Sequence, residues 1–125
     1  MITKFRAWNK ATKVMHEADD IVSLNFEEKQ ICVKTLFFEQ LSYYDFDDIV
    51  SMQSTGLKDK NGKEIFEGDI LGSKDGILDG VVEFRSDLGM WTTSLIRYNN
   101  FERLCNVASE RKIIGNIYEN PELLK

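Results

Sequence analysis

The sequence is poor in the residues that mark catalysis, secretion and flexible linkers. Its 125 residues hold one proline, eight glycines, two cysteines and one histidine. That proline and glycine content excludes a Pro-rich or Gly-rich linker protein. A single histidine, His16, cannot supply the clustered imidazoles of a typical catalytic zinc site. Neither Cys32 nor Cys105 sits in a Cys-x-x-Cys pair, so the redox and structural-zinc motifs are missing. Gly72-Ser73-Lys74 has neither the spacing nor the residue order of a phosphate-binding P-loop. No Gly-x-Ser-x-Gly nucleophile elbow occurs. No apolar run approaches the roughly 18–20 residues of a membrane helix; the densest, Leu36-Phe37-Phe38, stops at Glu39. No apolar stretch follows Lys4 and Arg6, as a secretory signal requires. The expectation is therefore a cytoplasmic protein without a membrane span. In that reducing compartment the two cysteines read as buried thiols. A disulfide between them would contradict the compartment.

What is present describes an ordinary folded chain. Hydrophobic residues make up 42% and charged residues 30%, which rejects disorder. The length suits one domain over residues 1–125. Net charge is −5 and unevenly placed. Before Glu17 the chain carries Lys4, Arg6, Lys10 and Lys13 and no acid. From Glu17 to Val50 nine acids stand against Lys29 and Lys34. The first reading is a solvated acidic face with the basic head folded nearby. The second is a surface that repels phosphates, mimics them or meets a basic partner.

Alternating apolar residues predict short strands throughout. Phe5 and Ala7 mark one and Val14-Met15 another. Val22, Leu24 and Phe26, then Ile31, Val33 and Thr35, flank the polar Glu27-Glu28-Lys29 and predict a β-hairpin with one buried face. Residues 36–46 are rich in aromatics but fit no period; a short helix and a packed irregular loop both remain open. Ile49 to Met52 reads as a strand, Thr55-Gly56 as a turn, and Asp59 to Lys63 as another turn. Ile70-Leu71, Gly80 to Phe84, Met90 to Ile96 and Ile113 to Tyr118 read as strands, with one short helical turn expected within 101–111. Asn120-Pro121 ends the last strand. The rhythm predicts a small barrel or sandwich. Its period places Val22, Leu24, Phe26, Val82, Phe84 and Ile113 in sheet interiors.

Candidate chemistry reads as structure at each point. His16 lies beside Glu17 and Asp19 and suits a surface turn better than a nucleophile pair with a cysteine. Counting a calcium loop from Asp59 puts Gly62 too early and Ile70 where a glutamate is required, so the turn reading stands. Asp45-Phe46-Asp47-Asp48 has no visible partner for acid–base work and reads as a solvated turn. Trp8 and Trp91 suit a core or a subunit interface before a ligand platform. The chain calls for no catalytic residue, cofactor or metal.

Three segments carry a family resemblance. They are Lys4-Phe5-Arg6-Ala7-Trp8-Asn9, the run from Met52-Gln53-Ser54-Thr55-Gly56-Leu57-Lys58-Asp59 through Lys60-Asn61-Gly62-Lys63-Glu64-Ile65-Phe66-Glu67-Gly68-Asp69-Ile70, and Ile113-Ile114-Gly115-Asn116-Ile117-Tyr118-Glu119-Asn120-Pro121-Glu122-Leu123-Leu124. In this order they resemble the YopX family of phages and prophages. Ser54 stands where the family commonly has an aromatic, and the intervening segments diverge. The resemblance implies a mainly β fold: a β-rich N-terminal part over 1–52, with its hairpin, and a small SH3-like barrel over 53–125, with little helix. It implies a bacterial host cytoplasm and no established reaction. Fold maintenance is the first role for the shared residues. A partner site on the same loops is the second, and it falls on Trp8, Lys58, Lys60, Glu67, Asp69 and Trp91. The expected function is a non-catalytic protein-binding or assembly module whose partner the sequence does not name. The aromatic content favours homo-oligomers. Nucleic-acid binding is the alternative, disfavoured by the charge, and an enzyme comes last.

Overall fold

The structure is a computed structural model that describes residues 4–34 and 40–125. The chain is mainly β and forms two compact units, Met1–Gln53 and Ser54–Lys125.

The first unit begins with β1 (Phe5–Asn9), which pairs antiparallel with β2 (Val14–His16) and with the opening residues of β6 (Ile49–Lys58). Asn9 shapes the first hairpin: its side-chain oxygen accepts the amides of Ala11 at 2.9 Å and Thr12 at 3.1 Å. A short side chain that satisfies local amides stabilises a turn without help from a sheet. The strands β3 (Ile21–Asn25), β4 (Gln30–Lys34) and β5 (Leu41–Asp45) form a three-stranded antiparallel sheet. Asn25 caps the β3–β4 turn by accepting the Glu28 amide at 2.9 Å. Ala7, Ile31 and Val33 are the buried centre, with Ile21, Leu24, Tyr44, Phe46 and Ile49 packed around them.

The hairpin forms where the alternation places it, but its faces differ from the expectation. A bulge between Ile21 and Ser23 shifts the β3–β4 register. One extra residue reverses the facing of everything before it, so Ile21 and Leu24 share the core while Val22 is 47% exposed; Phe26 is 74% exposed because β3 ends at Asn25 and Phe26 already stands in the turn. Phe84 is also exposed, for another reason: it keeps phase with buried Val82 but stands at the turn end of its hairpin, one pair from the last, edge-on to Trp91 at 5.3 Å. In the unsettled stretch 36–46, Leu41–Asp45 is strand and Phe46 opens a single 3₁₀ turn through Asp48; residues 36–39 lie outside the described residues.

The second unit holds the rest of β6, paired with β7 (Glu64–Phe66), and an open antiparallel sheet. That sheet contains β8 (Asp69–Gly72), β9 (Gly80–Arg85), β10 (Met90–Leu95), β11 (Phe101–Arg103) and β12 (Lys112–Asn116). Their order, β11-β10-β9-β8-β12, curls into a half-barrel. The helix α1 (Leu104–Val107) buries Leu104 and Val107 and leaves Cys105 exposed. This corrects the expectation of two buried thiols: Cys32 is buried, but a one-turn helix with apolar residues three apart has only one inward face. Both thiols are free. Ile65, Leu71, Val82, Leu104 and Ala108 make the core, with Leu57, Trp91 and Ile113 against it.

Two local expectations change here. Thr55-Gly56 is not a turn but an irregularity inside β6, where the register to β7 shifts between Ser54 and Lys58. Thr55 holds it, donating its hydroxyl to the Ile65 carbonyl at 2.8 Å and accepting the Leu57 amide at 3.1 Å. The last strand ends before Asn120-Pro121, at Asn116, whose side-chain oxygen accepts the Tyr118 and Glu119 amides at 3.0 and 2.8 Å. Those amides turn inward to a side chain instead of continuing a ladder.

Gly115 permits this ending. A Cβ there would stand 2.5 Å from Asn120 Oδ1 and 3.0 Å from Asn120 Cβ. The same Oδ1 accepts the Asn116 amide at 3.1 Å. Gly115→Ala must therefore displace the whole Asn120 side chain and break that bond. The expected cost is about 1–3 kcal/mol, read as a lower urea midpoint with an unchanged slope.

Candidate functional site

The sequence candidates separate. Trp8 belongs to the first unit; Lys58, Lys60, Glu67, Asp69 and Trp91 belong to the second. Lys58 and Lys60 are exposed on either side of buried Asp59, whose carboxylate organises the loop. Trp91 is half-buried against the core. Glu67 is half-buried, and Asp69 is 1% exposed with Oδ2 accepting the Phe66 amide at 2.8 Å. A carboxylate so enclosed holds its own turn and cannot meet a partner, so Asp69 leaves the contact set. Asp59 to Lys63 is the expected turn: Asp59 Oδ1 accepts the Asn61 and Lys63 amides at 2.9 Å each.

His16 does not lie on a surface turn. It ends β2, half-buried, with its ring 5.5 Å from the Tyr44 ring and Nε2 enclosed without a hydrogen-bond partner. Burial pushes the imidazole below its ordinary value, and the Asp20 carboxylate offsets part of that. No thiol is bonded to it. Among the described residues, no group of three or more His, Cys, Asp or Glu side chains is placed to hold a metal ion.

The feature that the sequence reading missed is an apolar cavity of about 410 Å³ in the first unit. Phe5 and Ala7 of β1 form one wall, and Leu24 of β3 and Ile31 of β4 another. Phe46 and Ile49, at either end of the 3₁₀ turn, close it, and Ser51 adds the one polar side chain. The turn is seated against the β3–β4 hairpin by the Phe46 amide, which donates to the Lys29 carbonyl at 2.9 Å. Phe26 stands at the rim with its ring edge-on to Phe46 at 5.8 Å. Leaving a phenylalanine in water forgoes about 2 kcal/mol of burial.

A second hollow, of about 340 Å³, lies among Arg85, Ser94, Tyr98 and Phe101 in the second unit. Its cation is already engaged. The Arg85 guanidinium lies 4.8 Å over the Phe101 ring and donates to both Asp87 carboxylate oxygens, at 3.0 and 2.9 Å. Little is left there for a ligand to gain, whereas the first cavity presents mostly apolar surface.

These observations define a mainly β protein that carries an open apolar cavity on its N-terminal unit. The chain belongs to the YopX protein family, whose model matches residues 4–125. The crystal structure of protein EF1440 from Enterococcus faecalis is similar, with 32% identity and a TM-score of 0.67 over 100% of this chain and 99% of that one. Protein yopX from Bacillus subtilis matches over 100% of both chains with 22% identity and a TM-score of 0.63, a likeness of fold. No curated protein matches this chain.

Proposed function

We propose that this protein is a non-catalytic protein-binding or assembly module, made in the phage or prophage setting that the family resemblance implies. It works by seating a segment of another protein in the cavity of the first unit. The observation that carries this reading is Phe26, 74% exposed at the rim of an apolar cavity of about 410 Å³. Buried aromatic and aliphatic anchors in pockets dominate protein–protein affinity, and a pre-formed hollow lowers the ordering cost of binding. The net charge of −5 speaks against the nucleic-acid alternative, because phosphate contacts supply most non-specific affinity.

A photo-cross-linker tests the site. With p-benzoylphenylalanine in place of Phe26, illumination of producing cells is expected to give a discrete protein adduct. The same residue at Leu88, an exposed apolar position in the second unit, is expected to give none. Equal adducts at both positions, or none at position 26, would refute the site.

A further inference from the structure

We infer that the segment taken by the cavity is basic: an apolar anchor flanked by lysine or arginine. This rests on the protein-binding reading and specifies its partner. The anchor follows from the walls, which are aliphatic and aromatic except for Ser51. The basic flanks follow from the acids that adjoin the lining residues in the chain. Glu27 follows Phe26 and is followed by Glu28; Asp45 and Asp47 bracket Phe46; Asp48 precedes Ile49. All five acids are exposed.

The fold brings these two acidic turns together. They are separate in sequence, and the bond from the Phe46 amide to the Lys29 carbonyl joins them, each turn carrying an aromatic that lines the cavity. None of the five carboxylates has an ion-pair partner among the described residues. Three lysines are near in the chain. Lys29 lies within the hairpin turn, Lys10 donates its amide to the Asp48 carbonyl at 2.8 Å, and Lys4 precedes Phe5. Arg6, between the wall residues Phe5 and Ala7, is buried, and the five exposed acids outnumber these four cations.

Charges within about 8 Å of one another are not fully screened at physiological salt. Apolar walls beside the acids concentrate their field at the opening. A basic segment gains attraction and encounter rate there, and an acidic segment with the same anchor is repelled. The hydrophobic contact supplies adhesion, and the rim selects the sign of the flanks.

Fluorescence anisotropy on the full chain tests this with three synthetic probes. One is Lys-Lys-Gly-Phe-Leu-Gly-Lys-Lys; the second has glutamate for lysine; the third has serine for Phe-Leu. The lysine probe is expected to bind at least about tenfold tighter than either of the others. Its advantage over the glutamate probe is expected to shrink several-fold between about 50 and about 500 mM salt. Glu27→Lys with Glu28→Lys, and separately Asp45→Lys with Asp47→Lys, are expected to remove the preference while the circular dichroism spectrum is kept; two sites guard against one variant failing to fold.

Equal binding of the lysine and glutamate probes, with a weak serine probe, overturns the basic partner and leaves the module intact. Equal binding of the lysine and serine probes overturns the anchor and reduces the site to general charge attraction. No binding by any probe, alongside a Phe26 adduct in cells, overturns the linear basic segment but not the module. A dimer mass by light scattering that Phe26→Ser halves makes a second copy the occupant and also overturns it.

Discussion

Asp59→Ala is expected to lower the stability of the protein by about 3 kcal/mol and its thermal midpoint by about 10 °C. Asp59 is 6% exposed. Its Oδ1 accepts the amides of Asn61 and Lys63, and its Oδ2 accepts the Ile113 amide at 3.0 Å, tying the β6–β7 loop to β12. Asn61 and Lys63 are exposed, so their amides find water in the variant. The Ile113 amide belongs to a half-buried strand residue, and leaving such a donor unpaired accounts for most of the loss. The pH dependence separates this role from simple packing. Burial alone would push the Asp59 carboxyl up. The amides of Ile113, Lys63 and Asn61, with the Lys63 charge, outweigh burial and hold it below its ordinary value. A carboxyl lowered by folding stabilises fully above its unfolded value of about 3.9 and loses that contribution as pH falls through the lower folded value. Denaturant midpoints taken from neutral to acid pH are therefore expected to fall more steeply for the parent than for Asp59→Asn, which keeps an Oδ1 acceptor but has no charge to lose. Equal slopes would sink the account.

The same loop shows what a sequence makes legible. Asp59, Asn61 and Gly62 act on neighbours within four residues, so their turn can be read directly. The bond from Asp59 to Ile113 joins positions 54 apart and cannot be. Strand pattern behaves similarly. The alternation in 21–26 and 30–35 marks a hairpin, but the bulge at Val22 exchanges the faces, because period-two facing tolerates no insertion. Composition alone cannot foresee that bulge. The cavity was hidden for the same reason as the Asp59–Ile113 bond: Phe5, Leu24, Ile31 and Phe46 lie on β1, β3, β4 and the 3₁₀ turn and meet only once these are folded together. A signal was present nonetheless. Phe26 is followed by two glutamates and Phe46 is bracketed by three aspartates. An aromatic in the middle of an acidic turn is poorly placed for solvation alone. The acidic character of this stretch was legible; its position beside an apolar opening was not, because a backbone bond sets it.

Arg111→Met is expected to cost about 2–3 kcal/mol, while Arg111→Met combined with Glu102→Leu is expected to recover most of that loss. Arg111 is 8% exposed. Its guanidinium donates to Glu102 Oε1 at 3.1 Å and Oε2 at 3.4 Å and to the Leu78 carbonyl at 3.3 Å, joining β11, the β8–β9 loop and the start of β12. Its own carbonyl accepts the Lys60 amide at 2.9 Å, so the position also braces the Asp59 loop. Removing the guanidinium alone leaves the Glu102 carboxylate, whose side chain is 27% exposed, with partial hydration and no cation. That residual exposure keeps the figure below the cost of breaking a fully buried pair. Removing both charges avoids the stranded carboxylate, and the Leu78 carbonyl is the one acceptor still to be satisfied. If the double variant is as unstable as the single one, Arg111 acts through the Leu78 carbonyl and its packing, and the ion pair contributes nothing. A double-mutant cycle from urea midpoints measures the difference, and the coupling between the two side chains should exceed about 1 kcal/mol.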